Sequence, residues 1–136
     1  MSGLAAPMLP RVTRASEGFW THASRGVLAL PTCGACGHRW FPPSPSCPAC
    51  LSEEVACQPV SGRGRLWSWV VMHKAYFEAF APPYMVAMVV LDEGPLITTS
   101  LVGVRVEDLA CDLPVQAVFE PAPGGRSIVR FAPETP

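Results

Sequence analysis

The sequence predicts a mainly β chain: a short N-terminal helix, a cysteine-rich ribbon and then a small five-stranded barrel. Two Cys-x2-Cys pairs, Cys33/Cys36 and Cys47/Cys50, stand ten residues apart and mark the ribbon. After them come five short apolar or alternating runs separated by Gly, Pro and acidic residues, the punctuation of a small all-β domain. One amphipathic stretch, Phe19, Trp20 and Ala23, precedes both. The expected boundaries are a disordered tail over 1–14, the helix and its lead-in over 15–30, the ribbon over 31–56 and the barrel over 57–136.

Ser16 is placed to cap a helix running to about Arg25, with Gly26 to end it. Its apolar stripe has two possible uses, packing on the protein's own body or docking to a partner. In the ribbon, each Cys-x2-Cys can fold as a tight knuckle that aims two thiolates at one point. Two facing knuckles supply four soft sulfur ligands in a tetrahedron, a closed site suited to one structural Zn²⁺. An iron centre and a redox dithiol are the weaker alternatives, and four cysteines leave no open position for a catalytic water. A ribbon this small has almost no core, so metal ligation, worth on the order of 10 kcal/mol, is expected to fold it. Cys57 and Cys111 fall outside the pattern and are expected as buried, unreactive thiols. His38 is expected as a surface or supporting residue.

Ser61-Gly62-Arg63-Gly64 reads as a turn into a strand over Leu66–His73. Strict alternation would set Leu66, Ser68, Val70 and Met72 on one face and Trp67, Trp69, Val71 and His73 on the other. Lys74–Pro83 is a loop carrying Tyr76, Phe77 and Phe80. Tyr84–Asp92 is an apolar strand, and Glu93-Gly94 turns it into Leu96–Val102. Val104–Leu113 holds a short helical or turn segment, and Val115–Glu120 and Ser127–Phe131 are strands joined by the 121–125 turn. Five strands with a helical insert between the third and fourth suit a Greek-key barrel of the OB type.

Charge narrows the function. Charged residues make up 15% of the 136-residue chain and hydrophobic residues 49%, against roughly 25% charge in typical domains. That balance leaves apolar surface for a partner. From Leu51 onward there are six basic and ten acidic residues, a balance of 6 − 10 = −4, which opposes binding to a phosphate backbone. No nucleotide-binding, hydrolase or open-zinc motif is present. His73 is the best general-base candidate, but spacing implies neither a carboxylate nor a nucleophile beside it. No apolar run is long enough to span a membrane, and the start of the chain does not read as a signal peptide. The expected location is the cytoplasm, where six cysteines point to metal rather than disulfides.

The ordered features Phe19-Trp20, Gly26-x-Leu28, Cys33-Gly34-x-Cys36-Gly37, Phe41-Pro42-Pro43 and Cys47-Pro48-x-Cys50 continue through Ser61-Gly62-x-Gly64, Ser68-Trp69, His73 and Phe80-Ala81. Pro83-Tyr84-x-Val86-Ala87, Leu91-Asp92-Glu93-Gly94 and Leu113-Pro114-Val115 with Phe119 complete the series. Over residues 16–133 the chain resembles the family first catalogued as domain of unknown function thirty-five, which joins a rubredoxin-like zinc ribbon to an OB-fold. The resemblance implies a non-catalytic accessory subunit of a thiolase-fold acyl-CoA enzyme: a thiolase, an acyltransferase or a steroid side-chain aldolase. It further implies a hetero-oligomer, expected as two-plus-two, in which the barrel helps shape the partner's acyl-CoA channel. Phe19, Trp20, His73, Tyr76, Phe80 and Tyr84 are the expected contacts with partner or acyl-CoA, and Arg63, Arg65 and Lys74 are candidates for a CoA phosphate. Alternatives are a nucleic-acid-binding protein or a subunit of a MaoC-like enoyl-CoA hydratase. One departure stands out: the chain has Cys111-Asp112 where the family often has Gly before its Leu-Pro-Val strand.

Overall fold

In the computed structural model the described residues are 9–75 and 81–134, so Tyr76, Phe77 and Phe80 lie outside them, as do residues 1–8 of the expected tail. Helix α1 spans Glu17–Ala23. Strands β1 (Ala29–Cys33) and β2 (Val55–Pro59) form an antiparallel pair. A second sheet holds β3 (Arg63–Met72), β4 (Tyr84–Leu91), β5 (Leu96–Thr99), β6 (Pro114–Ala122) and β7 (Arg126–Pro133) in the order β5-β4-β3-β6-β7. This sheet curls into a half-barrel. Its edges meet where Phe131 N–H donates to the Ser100 carbonyl at 3.0 Å and Val102 N–H to the Phe131 carbonyl at 2.9 Å. The architecture is that of an OB-fold with a ribbon ahead of it.

The main core forms where the inward faces meet: Leu66, Ala87, Val89, Leu91, Val115 and Phe131 from the sheet, joined by Phe19 of α1 and by Leu28 and Leu30 of the β1 segment. The ribbon has a separate small core of Cys33, Trp40 and Cys47, with Val55 against it. Helix α1 lies across the junction and packs on β1, β2 and β7. At Gly18 this packing is tight, since a Cβ there would sit 2.7 Å from Cys57 Cβ.

Several local expectations change. Ser16 does not cap α1; its Oγ accepts instead from the Thr13 N–H at 2.9 Å. Helix α1 ends at Ala23, and Gly26, at φ +76°, sits beyond it in the left-handed region. Strict alternation along β3 fails because the register with β4 slips between Leu66 and Ser68. A bulge adds one residue to one strand and rotates the residues beyond it. Leu66 therefore points inward and Trp69 packs on the core, while Trp67 and Val70 face out. The segment 104–113 forms only a 3-10 turn, Val106–Asp108. Cys111, expected to be buried, is exposed beside that turn, and Cys57 is only half-buried. Asp112 itself takes the left-handed conformation at φ 66°. Its N–H donates to the Leu66 carbonyl at 2.8 Å, so an aspartate holds a turn conformation that glycine adopts more readily.

Candidate metal centre and contact surfaces

The two knuckles are built alike. In the first, the Ala35 and Cys36 N–H groups point at Cys33 Sγ at 3.3 and 3.4 Å, and Gly37 N–H donates to the Cys33 carbonyl at 2.9 Å. In the second, Ala49 N–H points at Cys47 Sγ at 3.4 Å, and Leu51 N–H donates to the Cys47 carbonyl at 2.8 Å. Folding back this tightly requires a left-handed residue at the fifth position, met by Gly37 at φ +79° and Leu51 at φ 65°.

This geometry brings all four sulfurs together, every pair within 4.8 Å. Cys33–Cys50 and Cys36–Cys47 are each 3.6 Å apart, and all four cysteines are free thiols. A tetrahedral ion with bonds of about 2.3 Å needs sulfurs about 3.8 Å apart, so the donor set fits a four-sulfur metal site. The charges call for the same thing. The Cys36 N–H, helped by the Ala35 N–H and the neighbouring sulfurs, holds the Cys33 thiol down at about 6 against its burial. At Cys50 the Ser52 N–H pulls downward, yet the Cys33 and Cys36 sulfurs and burial push the thiol up to about 12. Thiols packed this closely ionise together only when a cation shares their charge. Trp40 closes the inner side, 7% exposed, stacked on His38 at 5.8 Å and donating from Nε1 to Ser44 Oγ at 3.0 Å.

The other expected site residues are scattered. Phe19 is 8% exposed, in the main core, edge-on to Trp20 at 5.2 Å. Trp20 is half-buried beneath the Arg126 guanidinium, 4.3 Å from its ring centre. The same guanidinium donates to the Pro10 carbonyl at 2.6 Å. His73 is exposed at the end of β3. Tyr84 lines a groove of about 570 Å³ with Val71, Leu101, Val104, Arg105 and Arg130. Both groove cations already have carboxylate partners, Arg130 with Glu120 at 2.6 Å and Arg105 with Asp108 at 3.2 Å. Arg63 pairs with Glu134 at 3.7 Å. The outer face of β3 and β4 exposes Trp67 (56%), Val70 (55%) and Val90 (36%). Sequence reasoning missed this strip because it depends on the bulge.

Two family models match: the rubredoxin-like zinc ribbon domain of ChsH2 over residues 20–56, and the C-terminal OB-fold domain of ChsH2 over residues 57–120. A DUF35 domain-containing scaffold protein of Methanocaldococcus jannaschii is 36% identical over 104 residues, covering 74% of this chain and 73% of that protein. The chain belongs to the DUF35 family. Among solved structures, a chain of the Ltp2-ChsH2(DUF35) aldolase superposes with a TM-score of 0.83 at 30% identity, covering 92% of this chain and 98% of that one. A DUF35 protein of unknown function from Sulfolobus solfataricus shares the fold, at a TM-score of 0.60 and 14% identity. A further relative, a probable enoyl-CoA hydratase alpha subunit of Thermomonospora curvata, is 32% identical over 128 residues. That match takes in 93% of this chain but only 40% of the hydratase subunit's length.

Proposed function

We propose that this DUF35 chain is a non-catalytic scaffold subunit of a thiolase-fold acyl-CoA enzyme, with one structural zinc held by Cys33, Cys36, Cys47 and Cys50. The observation that carries the reading is the match to a DUF35 chain solved within an aldolase, which extends over 98% of that chain. The zinc does no chemistry on substrate: four thiolates fill its coordination sphere, and its contribution is to fold the ribbon. Surface chemistry supports work by contact. The cations of the Tyr84 groove are neutralised by their own carboxylates, which disfavours nucleic acid, and the β3–β4 strip offers apolar area to a protein. The partner is a thiolase-like enzyme or aldolase, in a two-plus-two assembly in the cytoplasm, with His73 and Tyr84 near its acyl-CoA channel.

A second reading, a subunit of a MaoC-like enoyl-CoA hydratase, is favoured by the Thermomonospora curvata relative, whose name is that of a hydratase subunit. Co-expression separates the two. The chain is produced with the thiolase-like protein encoded beside it, and in parallel with a MaoC-like one, and assembly and turnover are measured. The scaffold reading expects a stable complex with the thiolase-like enzyme and higher turnover than that enzyme has alone. Separate migration on gel filtration, with turnover unchanged by the chain, refutes it.

A further inference from the structure

The two knuckles differ at one position. Gly37 and Leu51 are equivalent: each donates its N–H to the carbonyl of the first cysteine of its knuckle, and each sits in the left-handed region, at φ +79° and 65°. Glycine adopts that conformation without strain, whereas a bulky side chain there crowds its own backbone. In Leu51 the knuckle imposes the conformation, but leucine in place of glycine adds strain that no packing of its side chain in either hydrophobic core offsets. Its side chain is 76% exposed, more than any other large hydrophobic residue among those described. It stands in the second knuckle with Pro48 and Ala49, also exposed. The knuckle accounts for the conformation; it does not account for an exposed leucine at a position that glycine would fill without strain.

We infer that Leu51 is the anchor by which the ribbon plugs into an apolar socket on the partner enzyme, a socket rimmed by basic residues. This rests on the scaffold reading and specifies the part of the chain that reads the partner. The socket's apolar floor is implied by the exposed leucine with Pro48 and Ala49 beside it. Its basic rim is implied by charge. Four thiolates around a divalent cation would leave a net negative centre one residue from Leu51, and the exposed Glu53 and Glu54 come two and three residues later. A second copy of this chain would bring the same negative charge against itself, so a heterologous partner is the better match. Leu51 is not a metal ligand, and it contributes to neither hydrophobic core, so changing it leaves the folded chain intact.

The test uses Leu51→Gly and Leu51→Ala in the full zinc-loaded chain, assayed against the co-expressed thiolase-like enzyme. Both variants should keep one zinc per chain. Leu51→Gly, relieved of the left-handed strain, should melt no lower than wild type. Both should bind the enzyme at least tenfold more weakly, while Leu51→Met, which restores an apolar side chain, should recover most of the affinity. The loss should combine unchanged melting with weaker binding, a pairing that a purely structural leucine does not produce. If wild type binds the enzyme and both variants bind as tightly, the socket is refuted and the scaffold reading stands. If wild type does not bind at all, both fall. If wild type alone sediments as a dimer that Leu51→Ala dissociates, the occupant is a second copy and the inference is overturned.

Discussion

Stripping the metal should melt the ribbon and spare the barrel, and the structure says where the boundary will fall. The ribbon beyond β1 is held by four knuckle sulfurs and one buried aromatic. Its own core is Cys33, Trp40 and Cys47. Burying a side chain such as Trp40 is worth about 3 kcal/mol, whereas each ordered backbone residue costs about 1–2 kcal/mol. Metal ligation, on the order of 10 kcal/mol, is the term that decides. Below it, Leu28 and Leu30 belong to the main core, and Val60 N–H donates to the Leu28 carbonyl at 2.8 Å. The base of the β1–β2 pair should therefore survive. Hydrogen exchange read by mass spectrometry, before and after chelation, is the assay. The amides of Cys33, Gly37, Cys47 and Leu51, all hydrogen-bonded inside the knuckles, should lose protection, and Cys36→Ser should reproduce the effect. The β3–β7 amides should change little. Metal-free protein with protected knuckle amides refutes the reasoning, as does iron in the purified chain by elemental analysis.

Three further outcomes rest on particular residues. Leu66→Ala should cost about 2–5 kcal/mol, because Leu66 is fully buried, while Trp67→Ala should cost under about 1 kcal/mol; chemical denaturation giving the reverse order would remove the β3 bulge. Gly64→Ala should destabilise the barrel by about 1–3 kcal/mol or more, since a Cβ there would lie 2.5 Å from the Val90 carbonyl oxygen; an unchanged melting temperature would contradict it. Burial raises the Glu93 carboxyl, but the Ser61 N–H at 2.8 Å and the Ser61 hydroxyl outweigh it and hold the group below its ordinary 4.5. Its folded value lies below its unfolded one, so its stabilisation is complete above about 4.5 and fades as pH falls through the lowered value. Acid melting of Glu93→Gln should accordingly differ from wild type at neutral pH and converge with it in strong acid.

The four-cysteine cluster was legible because cysteine spacing is a covalent constraint: the four residues need no tertiary information to be read as one group. The strands of the curled sheet were legible from apolar runs between turn residues. The features that were not legible depend on long-range pairing. The β1–β2 ladder joins Ala29–Cys33 to Val55–Pro59 across the whole ribbon, and Pro31 within it hides the strand pattern. The bulge at Trp67 reflects register with β4, which strict alternation cannot encode. Ser16 was read as a cap from residue type alone, yet its hydroxyl finds Thr13 first. Leu51 and Asp112 occupy positions where a knuckle or turn asks for a left-handed residue, and neither residue type announces that conformation.

Under the proposed scaffold reading, the helix bears on how so small a chain presents its surfaces. The ribbon and the half-barrel are joined by the chain between β2 and β3 and through Leu28 and Leu30, which belong to the main core. Helix α1 strengthens the joint by touching both: Gly18 lies against Cys57 of β2, Phe19 enters the main core, and Trp20 is covered by Arg126 of β7. The two aromatics are thus committed inward, and the rigidity they confer is shared by the exposed parts. The Leu51 tip and the Trp67–Val70–Val90 strip are held in one frame. Were a partner to engage both, the binding energy from each would add without a further entropic loss for ordering one against the other. A scaffold needs that property more than it needs a large surface.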